Sequence, residues 1–244
     1  CSYCIIPKIR GRFRSVPMQE LLNEAKRLAS EGVKELVLVA QETTLYGKDL
    51  TGEKQLPLLL HELCKIEGIE WIRLLYCYPE EITDELIKVI KTEEKVCNYI
   101  DMPIQHSENR ILQRMGRRTS REDLVAVIKK LRKEIPDITI RTTLITGFPG
   151  ESQEDHEGLM NFVEECQFDR LGVFTYSPEE DTLAATFEDQ IDEEVKEERR
   201  DELMSLQQEI SYEHTQQLVG KTIKVMVEGY LFEDDIYVGR SYMD

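Results

Sequence analysis

The sequence predicts an α/β fold built on a parallel sheet or barrel. Short apolar runs of strand length alternate with segments of helical periodicity along most of the 244 residues. The first run, Lys34 to Ala40, is apolar nearly throughout, as in a parallel strand that is covered on both faces. Repeated strand-then-helix units of this kind favour one parallel sheet, which is either open or closed into a barrel.

The elements follow in a regular order along the chain. A first helix is expected after Ser15, its N-cap, with Pro17 in its first turn and Gly32 at its end. The predicted strands cover residues 34–40, 70–76, 99–102, 138–146 and 170–174. The predicted helices between them cover residues 56–65, 82–91, 108–115, 120–134 and 153–166.

The last part of the chain predicts a long helix followed by a small β unit. Residues 192–218 carry a weak amphipathic pattern, and the acidic run 179–198 is expected to be a solvated helix face that could help to dock a basic partner. Gly220 ends this helix, and two alternating segments follow. Because two strands alone are marginally stable, residues 1–219 are expected to form the α/β domain and residues 220–244 the start of a β domain.

Polar residues follow the predicted strands at the points where the strands end. In parallel α/β folds the loops after the carboxyl ends of the strands carry the chemistry. The residues of this kind are Gln41, Glu42, Gln105, His106, Ser107, Gly147 and Tyr176. We therefore expect them to converge on one barrel mouth.

Two cysteines in a C-x-x-C spacing, Cys1 and Cys4, open the chain. Two thiolates can converge on one metal centre, but they complete neither a zinc site nor an iron–sulfur cube. Because the chain begins with Cys rather than Met, we expect a fragment with a third cysteine upstream. A redox pair normally starts a helix, whereas Pro7 and a run of arginines follow here. The pair alone leaves an iron–sulfur cluster and zinc equally open.

Composition limits the class of protein. No apolar run approaches the roughly 20 residues of a membrane span, and nothing resembles a signal peptide, so a cytoplasmic location is expected. The net charge of −17 argues against a generic nucleic-acid binder. An acidic surface attracts basic partners such as ribosomal proteins, although it could equally serve solubility alone.

Several segments resemble those of the radical S-adenosylmethionine (SAM) methylthiotransferases. These are CSYCIIPKIRGRFRS, AQETTLYG, DMPIQHSENRILQRMGR, RTTLITGFPGES, FTYSPEEDT and the tail KTIKVMVEGYLFEDDIYVGRSY. PIQH followed by FTYSPEEDT is closer to the branch that methylthiolates the β-carbon of an aspartate in a small-subunit ribosomal protein. The resemblance implies a partial (β/α)6 TIM-like radical SAM barrel, with its first strand upstream, followed by the truncated start of an all-β TRAM domain.

The resemblance also implies the cofactors and the residues that bind them. Cys1 and Cys4 would ligate a [4Fe–4S] cluster whose open iron binds SAM, and the reduced cluster would cleave SAM to a radical that abstracts a hydrogen atom from substrate. The implied SAM-binding residues are Tyr3, Gln41, Glu42, Ser107, Arg141, Ile145 and Gly147. The residues expected to line the site are Gln105, His106 and Tyr176.

The implied partners extend beyond this sequence. Sulfur insertion in the family uses a second [4Fe–4S] cluster in an N-terminal domain, so this fragment alone is expected to be incomplete for full turnover. The expected partners are a basic small-subunit ribosomal protein, that N-terminal domain, and an electron donor such as flavodoxin or ferredoxin. Two alternatives remain, a tRNA adenosine methylthiotransferase and a non-catalytic zinc-binding scaffold.

Overall fold

The computed structural model describes residues 1–244 and contains a wall of five parallel strands. They are β1 Glu35–Leu38, β2 Trp71–Leu74, β3 Tyr99–Asp101, β4 Thr139–Thr146 and β5 Arg170–Thr175. β1 pairs with β2, and β4 lies between β3 and β5. Ile72 of β2 hydrogen bonds with the backbone of Lys95 and Cys97, just before β3, and so joins the two groups. The strands therefore stand side by side in chain order, as the α/β prediction requires.

Nine helices surround or follow this wall. They are α1 Ile6–Arg10, α2 Met18–Ser30, α3 Lys48–Thr51, α4 Leu56–Cys64, α5 Asp84–Thr92, α6 Asn109–Met115, α7 Arg121–Glu134, α8 Gln153–Cys166 and α9 Glu193–Gln216. The expected cap of α2 was wrong: the helix starts after Pro17, and the Ser15 hydroxyl instead donates to Asp49 at 2.6 Å. The short helix α1 was not predicted, and Pro7 fits its first turn because that position needs no N–H donor.

The two faces of the wall differ in burial. Leu36, Ile72 and Ile140 point to one face and pack with the helices in the main core. Alternate residues point to the opposite, inner face, where Val39 and Phe174 are 61% and 63% exposed. Part of the inner face therefore exposes apolar side chains. No helix combines the length and apolar character that a membrane span needs.

An antiparallel hairpin covers the amino-terminal ends of the first strands. Its strands are β6 Val225–Leu231 and β7 Ile236–Ser241. Glu35 of β1 pairs with Arg73 of β2 at 2.8 Å and with Arg240 of the hairpin, and Arg73 donates to the carbonyl oxygen of Tyr242 at 2.8 Å. The side chains of Glu35 and Arg73 are each only 5% exposed. A buried ionic network thus fastens the end of the chain to its first two strands.

Candidate functional site

The two N-terminal cysteines lie on a loop, residues 1–5, which we call the cysteine loop. Its anchor is Ser2, whose backbone N–H donates to the carbonyl oxygen of Met115 at 2.8 Å and whose hydroxyl donates to that of Arg114 at 2.7 Å. The Ser2 carbonyl oxygen accepts from the N–H of Ala184 at 2.9 Å. Cys1 is exposed and Cys4 half-buried, and both thiols are free. The loop is therefore held between the end of α6 and the segment after β5.

A small apolar cluster brings several of the predicted site residues together. Its buried members are Ile111, Met115, Phe148, Tyr176 and Ala184, and packed against them are Tyr3, Ile145 and Phe187. The Tyr3 and Phe148 rings meet edge to face, with centroids 6.1 Å apart. Burial raises the pKa of the Tyr3 hydroxyl to about 12, against the opposing charge of Arg117. The residue between the cysteines is thus packed beside the loop that follows β4.

Arg117 is a member of the site that the sequence did not predict. Its guanidinium lies over the Tyr78 ring, 4.5 Å from the centroid, and donates to the carbonyl oxygen of Pro103 at 3.0 Å. The same group lies 4.0 Å from the Sγ atom of Cys1. The one sequence signal for this turn is Gly116, whose φ of 74° ends α6 and reverses the chain. Arg117 therefore connects the cysteine loop to the loops after β2 and β3.

Glu42 places a buried carboxyl at the carboxyl ends of β1 and β2. Its Oε1 atom accepts from the backbone N–H groups of Thr44 at 2.9 Å and Tyr78 at 3.4 Å, and from the Thr44 hydroxyl. Its Oε2 atom is buried and has no hydrogen-bond partner. Burial raises the pKa of Glu42 to about 7, against the hydrogen bonds from Thr44. The neighbouring Gln41 is exposed.

Arg141 lies on the inner face of the wall, beside Asp101 of β3. Its guanidinium donates to Asp101 at 2.8 Å, and its side chain stays 41% exposed while that of Asp101 is 1% exposed. The second oxygen of Asp101 accepts from the N–H of Tyr76 at 3.0 Å, where φ is 58°. Asp101 thus holds both a left-handed residue at the end of β2 and a guanidinium whose far side remains accessible.

The turn after β4 is held by a buried carboxylate. Glu151 accepts from the backbone N–H groups of Gly147 at 2.9 Å and Phe148 at 3.3 Å. It also pairs with Arg199 of α9 at 2.9 Å, and the Nε2 atom of His106 lies 3.4 Å away. Burial alone would raise the pKa of Glu151, but His106 and Arg199 outweigh it and hold that pKa below its usual value.

Lys196 of α9 supports the same turn. Its Nζ atom donates to the carbonyl oxygen of Tyr176 at 2.9 Å, and its side chain occupies the space that a Cβ at Gly147 would fill. Lys196 and Arg199 are both buried. The expectation of a solvated face over residues 179–198 was therefore wrong for Lys196, because its ammonium group donates to a backbone carbonyl oxygen of the site.

The remaining predicted residues take different positions. His106 and Ser107 are fully buried; the His106 Nδ1 atom accepts from the N–H of Glu108 at 3.0 Å, and the Ser107 hydroxyl donates to the Glu108 carboxylate at 3.1 Å. Gln105 has a φ of 74°, and its backbone pairs with Thr143 and Ile145 of β4. The structure thus gathers Cys1, Tyr3, Ile145 and Tyr176 but keeps His106 and Ser107 inside the protein.

The donor set defines what the site could hold. The chain contains no group of three or more His, Cys, Asp or Glu side chains close enough to bind a metal ion. The two free thiols of the cysteine loop are soft ligands, which suit an iron–sulfur cluster in kind and supply part of its usual ligand set. Three further features lie around the same strand ends. They are the Glu42 carboxyl with its free oxygen, the accessible Arg141 guanidinium, and the apolar cluster around Phe148.

Comparisons with known proteins give a consistent result. Residues 1–163 match the sequence profile of the Radical SAM superfamily. The chain is 63% identical over 244 residues to the ribosomal protein uS12 methylthiotransferase RimO of Lachnoclostridium phytofermentans, covering 100% of this chain and 56% of that protein. It is 57% identical over 242 residues to the protein of the same name from Clostridium perfringens (strain 13 / Type A), covering 99% of this chain and 54% of that protein.

Solved structures agree on the fold. The radical S-adenosylmethionine methyltransferase TsrM from Kitasatospora setae, with cobalamin and a [4Fe–4S] cluster bound, has a TM-score of 0.59 at 18% identity. The similarity covers 72% of this chain and 34% of that one. The chain spans about half the length of the curated relatives it matches.

Proposed function

Since the chain belongs to the radical SAM superfamily, we propose that it is the SAM-binding part of a methylthiotransferase that modifies an aspartate β-carbon of the ribosomal protein uS12. The observation that carries this proposal is the pair of free thiols on the cysteine loop, held at the strand ends beside Tyr3 and Arg117. The substrate rests on relatives of that name at up to 63% identity. The net charge of −17 supports a basic partner.

Each part of the site has a proposed task. Cys1 and Cys4 hold two irons of a [4Fe–4S] cluster, and a third thiolate comes from residues outside this chain. When bound, the cluster supplies the electron that cleaves SAM. Tyr3, Ile145 and the Gly147 turn form the surface for adenine.

The remaining contacts to SAM come from strand ends and the inner face. The backbone of Gln41 and Glu42 meets the methionine amino group, and Arg141 meets the carboxylate with the side of its guanidinium that Asp101 leaves free. Ser107 is the proposed ribose contact, and this contact requires its buried hydroxyl to be uncovered and to exchange its hydrogen bond to Glu108. Gln105, His106 and Tyr176 support the walls of the site. These residues orient SAM and keep water away from the reacting carbon.

The proposal extends to the rest of the protein. Residues 1–219 form the barrel domain, with a sixth strand upstream, and residues 220–244 begin a TRAM domain. A second [4Fe–4S] cluster lies in an N-terminal domain, and flavodoxin or ferredoxin supplies electrons.

Cluster loading and SAM cleavage test the proposal directly. The protein, extended upstream to include a third cysteine, is reconstituted anaerobically, and iron, sulfide and released 5′-deoxyadenosine are measured. Cys4→Ala should abolish release, whereas Cys97→Ala, at a buried thiol next to β3, should retain it. Zinc without sulfide in the native protein, or equal release from both variants, would refute the proposal.

The substrate is tested separately. The same preparation is offered uS12 or transfer RNA, and methylthio incorporation is followed by mass spectrometry. Incorporation into an aspartate of uS12 is expected, and incorporation into RNA alone would assign the chain to the other branch. Residues 1–244 alone should leave both substrates unmodified.

A further inference from the structure

Arg117 differs from the other buried cations of the protein. The four buried Lys and Arg residues are Arg73, Arg117, Lys196 and Arg199. Three of them pair with a carboxylate: Arg73 with Glu35, Lys196 with Glu193, and Arg199 with Glu151. Arg117 has no carboxylate within 4.0 Å, and its Nε atom is buried without a hydrogen-bond partner. The protein alone therefore leaves this charge without a counter-charge.

An unpaired buried cation is costly, because its lost hydration has to be replaced. The Tyr78 ring and the Pro103 carbonyl oxygen replace part of it. The guanidinium also lies beside the Tyr3 hydroxyl, which is neutral, and its Nη1 atom is 4.0 Å from the Sγ atom of Cys1. A thiolate at this position carries negative charge when it ligates a metal centre. The Nη1 atom of Arg117 thus faces the cysteine loop, which would carry an anionic cluster, and no carboxylate of the chain neutralises the guanidinium.

We propose that Arg117 is the positioning residue that docks the cysteine loop onto the ends of β2 and β3, and that its charge raises the reduction potential of the bound cluster. The electrostatic part rests on the proposed function, since it needs the cluster. Positive charge and hydrogen-bond donors near the sulfur atoms stabilise the more negative, reduced form of an iron–sulfur cluster. An arginine in this place makes the cluster easier to reduce by a given electron donor.

Arg118 provides a matched control. It follows Arg117 directly, carries the same charge and is exposed. Arg117→Gln, Arg117→Lys and Arg118→Gln are therefore compared with the native protein. Arg117→Lys keeps the charge but loses the planar group that lies over Tyr78. If Arg117→Gln does not fold, Arg117→Lys is used to test the docking role.

The first measurement is amide hydrogen exchange on residues 1–244 without cluster. The Ser2 N–H, which donates to Met115, reports on the docking of the loop. Its exchange should speed up about tenfold or more in both Arg117 variants, because local opening becomes easier, and should not change in Arg118→Gln. Native exchange rates in the Arg117 variants would overturn the docking role whether or not the protein is a methylthiotransferase.

The second measurement is the midpoint potential of the cluster in the upstream-extended protein, followed by electron paramagnetic resonance. The potential should be more negative in Arg117→Gln, and close to native in Arg117→Lys and Arg118→Gln. Equal potentials in all four proteins, or equal shifts in Arg117→Gln and Arg118→Gln, would overturn the electrostatic role. Failure of the native protein to hold a cluster would instead refute the proposed function, and with it the electrostatic role.

Discussion

The buried carboxyl of Glu42 should make the protein less stable as the pH rises towards neutrality. One of its oxygens accepts hydrogen bonds from Thr44 and Tyr78, and the other has no partner. Burial raises its pKa from 4.5 to about 7. The folded protein therefore retains a proton that the unfolded chain releases, and the group's stabilising contribution, complete below about pH 4.5, is lost as the pH rises to about 7.

The size of the effect follows from the shift in pKa. At about 1.4 kcal/mol for each pKa unit, the full change amounts to about 3 kcal/mol. Between about pH 5 and pH 8 the loss is about 2 kcal/mol, because part of the titration of the unfolded chain lies below pH 5. Glu42→Gln keeps the shape and the accepting oxygen but removes the titration. The variant should thus gain about 2 kcal/mol relative to the native protein over this pH range.

Urea unfolding followed by circular dichroism gives the free energy of unfolding of both proteins at several pH values. Glu53→Gln, at an exposed carboxyl of a neighbouring loop, is the matched control and should stay parallel to the native protein. A difference between Glu42→Gln and the native protein that does not change with pH would show that Glu42 is not buried as a carboxylic acid.

Two further comparisons test the packing around the site and the fastening of the hairpin, both by urea unfolding. Gly147→Ala should lower the free energy of unfolding by about 1–3 kcal/mol, because φ is +68° and the added Cβ would overlap a buried lysine side chain. The control Gly172→Ala has nothing within 4 Å of its added Cβ and should stay within about 1 kcal/mol of the native protein. Similar losses of stability in the two variants would contradict this account. Arg73→Met should lower the free energy of unfolding by about 3 kcal/mol and speed proteolysis of the hairpin. The reason is that the buried carboxylate of Glu35 loses one of its two arginine partners. Lys224→Met, at an exposed ion pair, should cost less than about 1 kcal/mol, and an equal cost would refute the role of the buried network.

The order of strands and helices could be predicted from the sequence because buried faces require apolar residues at regular spacings. The predicted strand 138–146 became Thr139–Thr146, and the helix predicted at 153–166 has those bounds. Apolar side chains in such elements face a core, so their spacing reports the geometry of the element directly. The convergence of polar residues at one edge was predicted by the same logic, since parallel strands share one carboxyl edge, whereas the place of the cysteines was implied only by the family resemblance.

The burial of charged residues could not be predicted in the same way, because no periodic pattern marks it. Lys196 lies in the run 179–198, which was expected to be solvated, and Arg199 follows that run directly, yet both are buried against the turn after β4. Arg117 stands next to a second arginine, and only one of the two is buried. Whether a cation is buried depends on partners that are distant in sequence, and a local pattern does not contain them. Ser15 shows the same limit, because its hydroxyl binds Asp49 rather than the helix that follows.

The three hydrogen bonds that anchor Ser2 also set an order of events during synthesis. Ala184, which donates to the Ser2 carbonyl oxygen, leaves the ribosome long after the cysteines do, and the cations of α9 that fix the turn after β4 come later still. Until Ala184 is made, the hydrogen bonds that hold Ser2 are only those to Arg114 and Met115. The segment after β5 therefore completes the attachment of the cysteine loop late in synthesis, and Cys1 stays exposed once that attachment has formed.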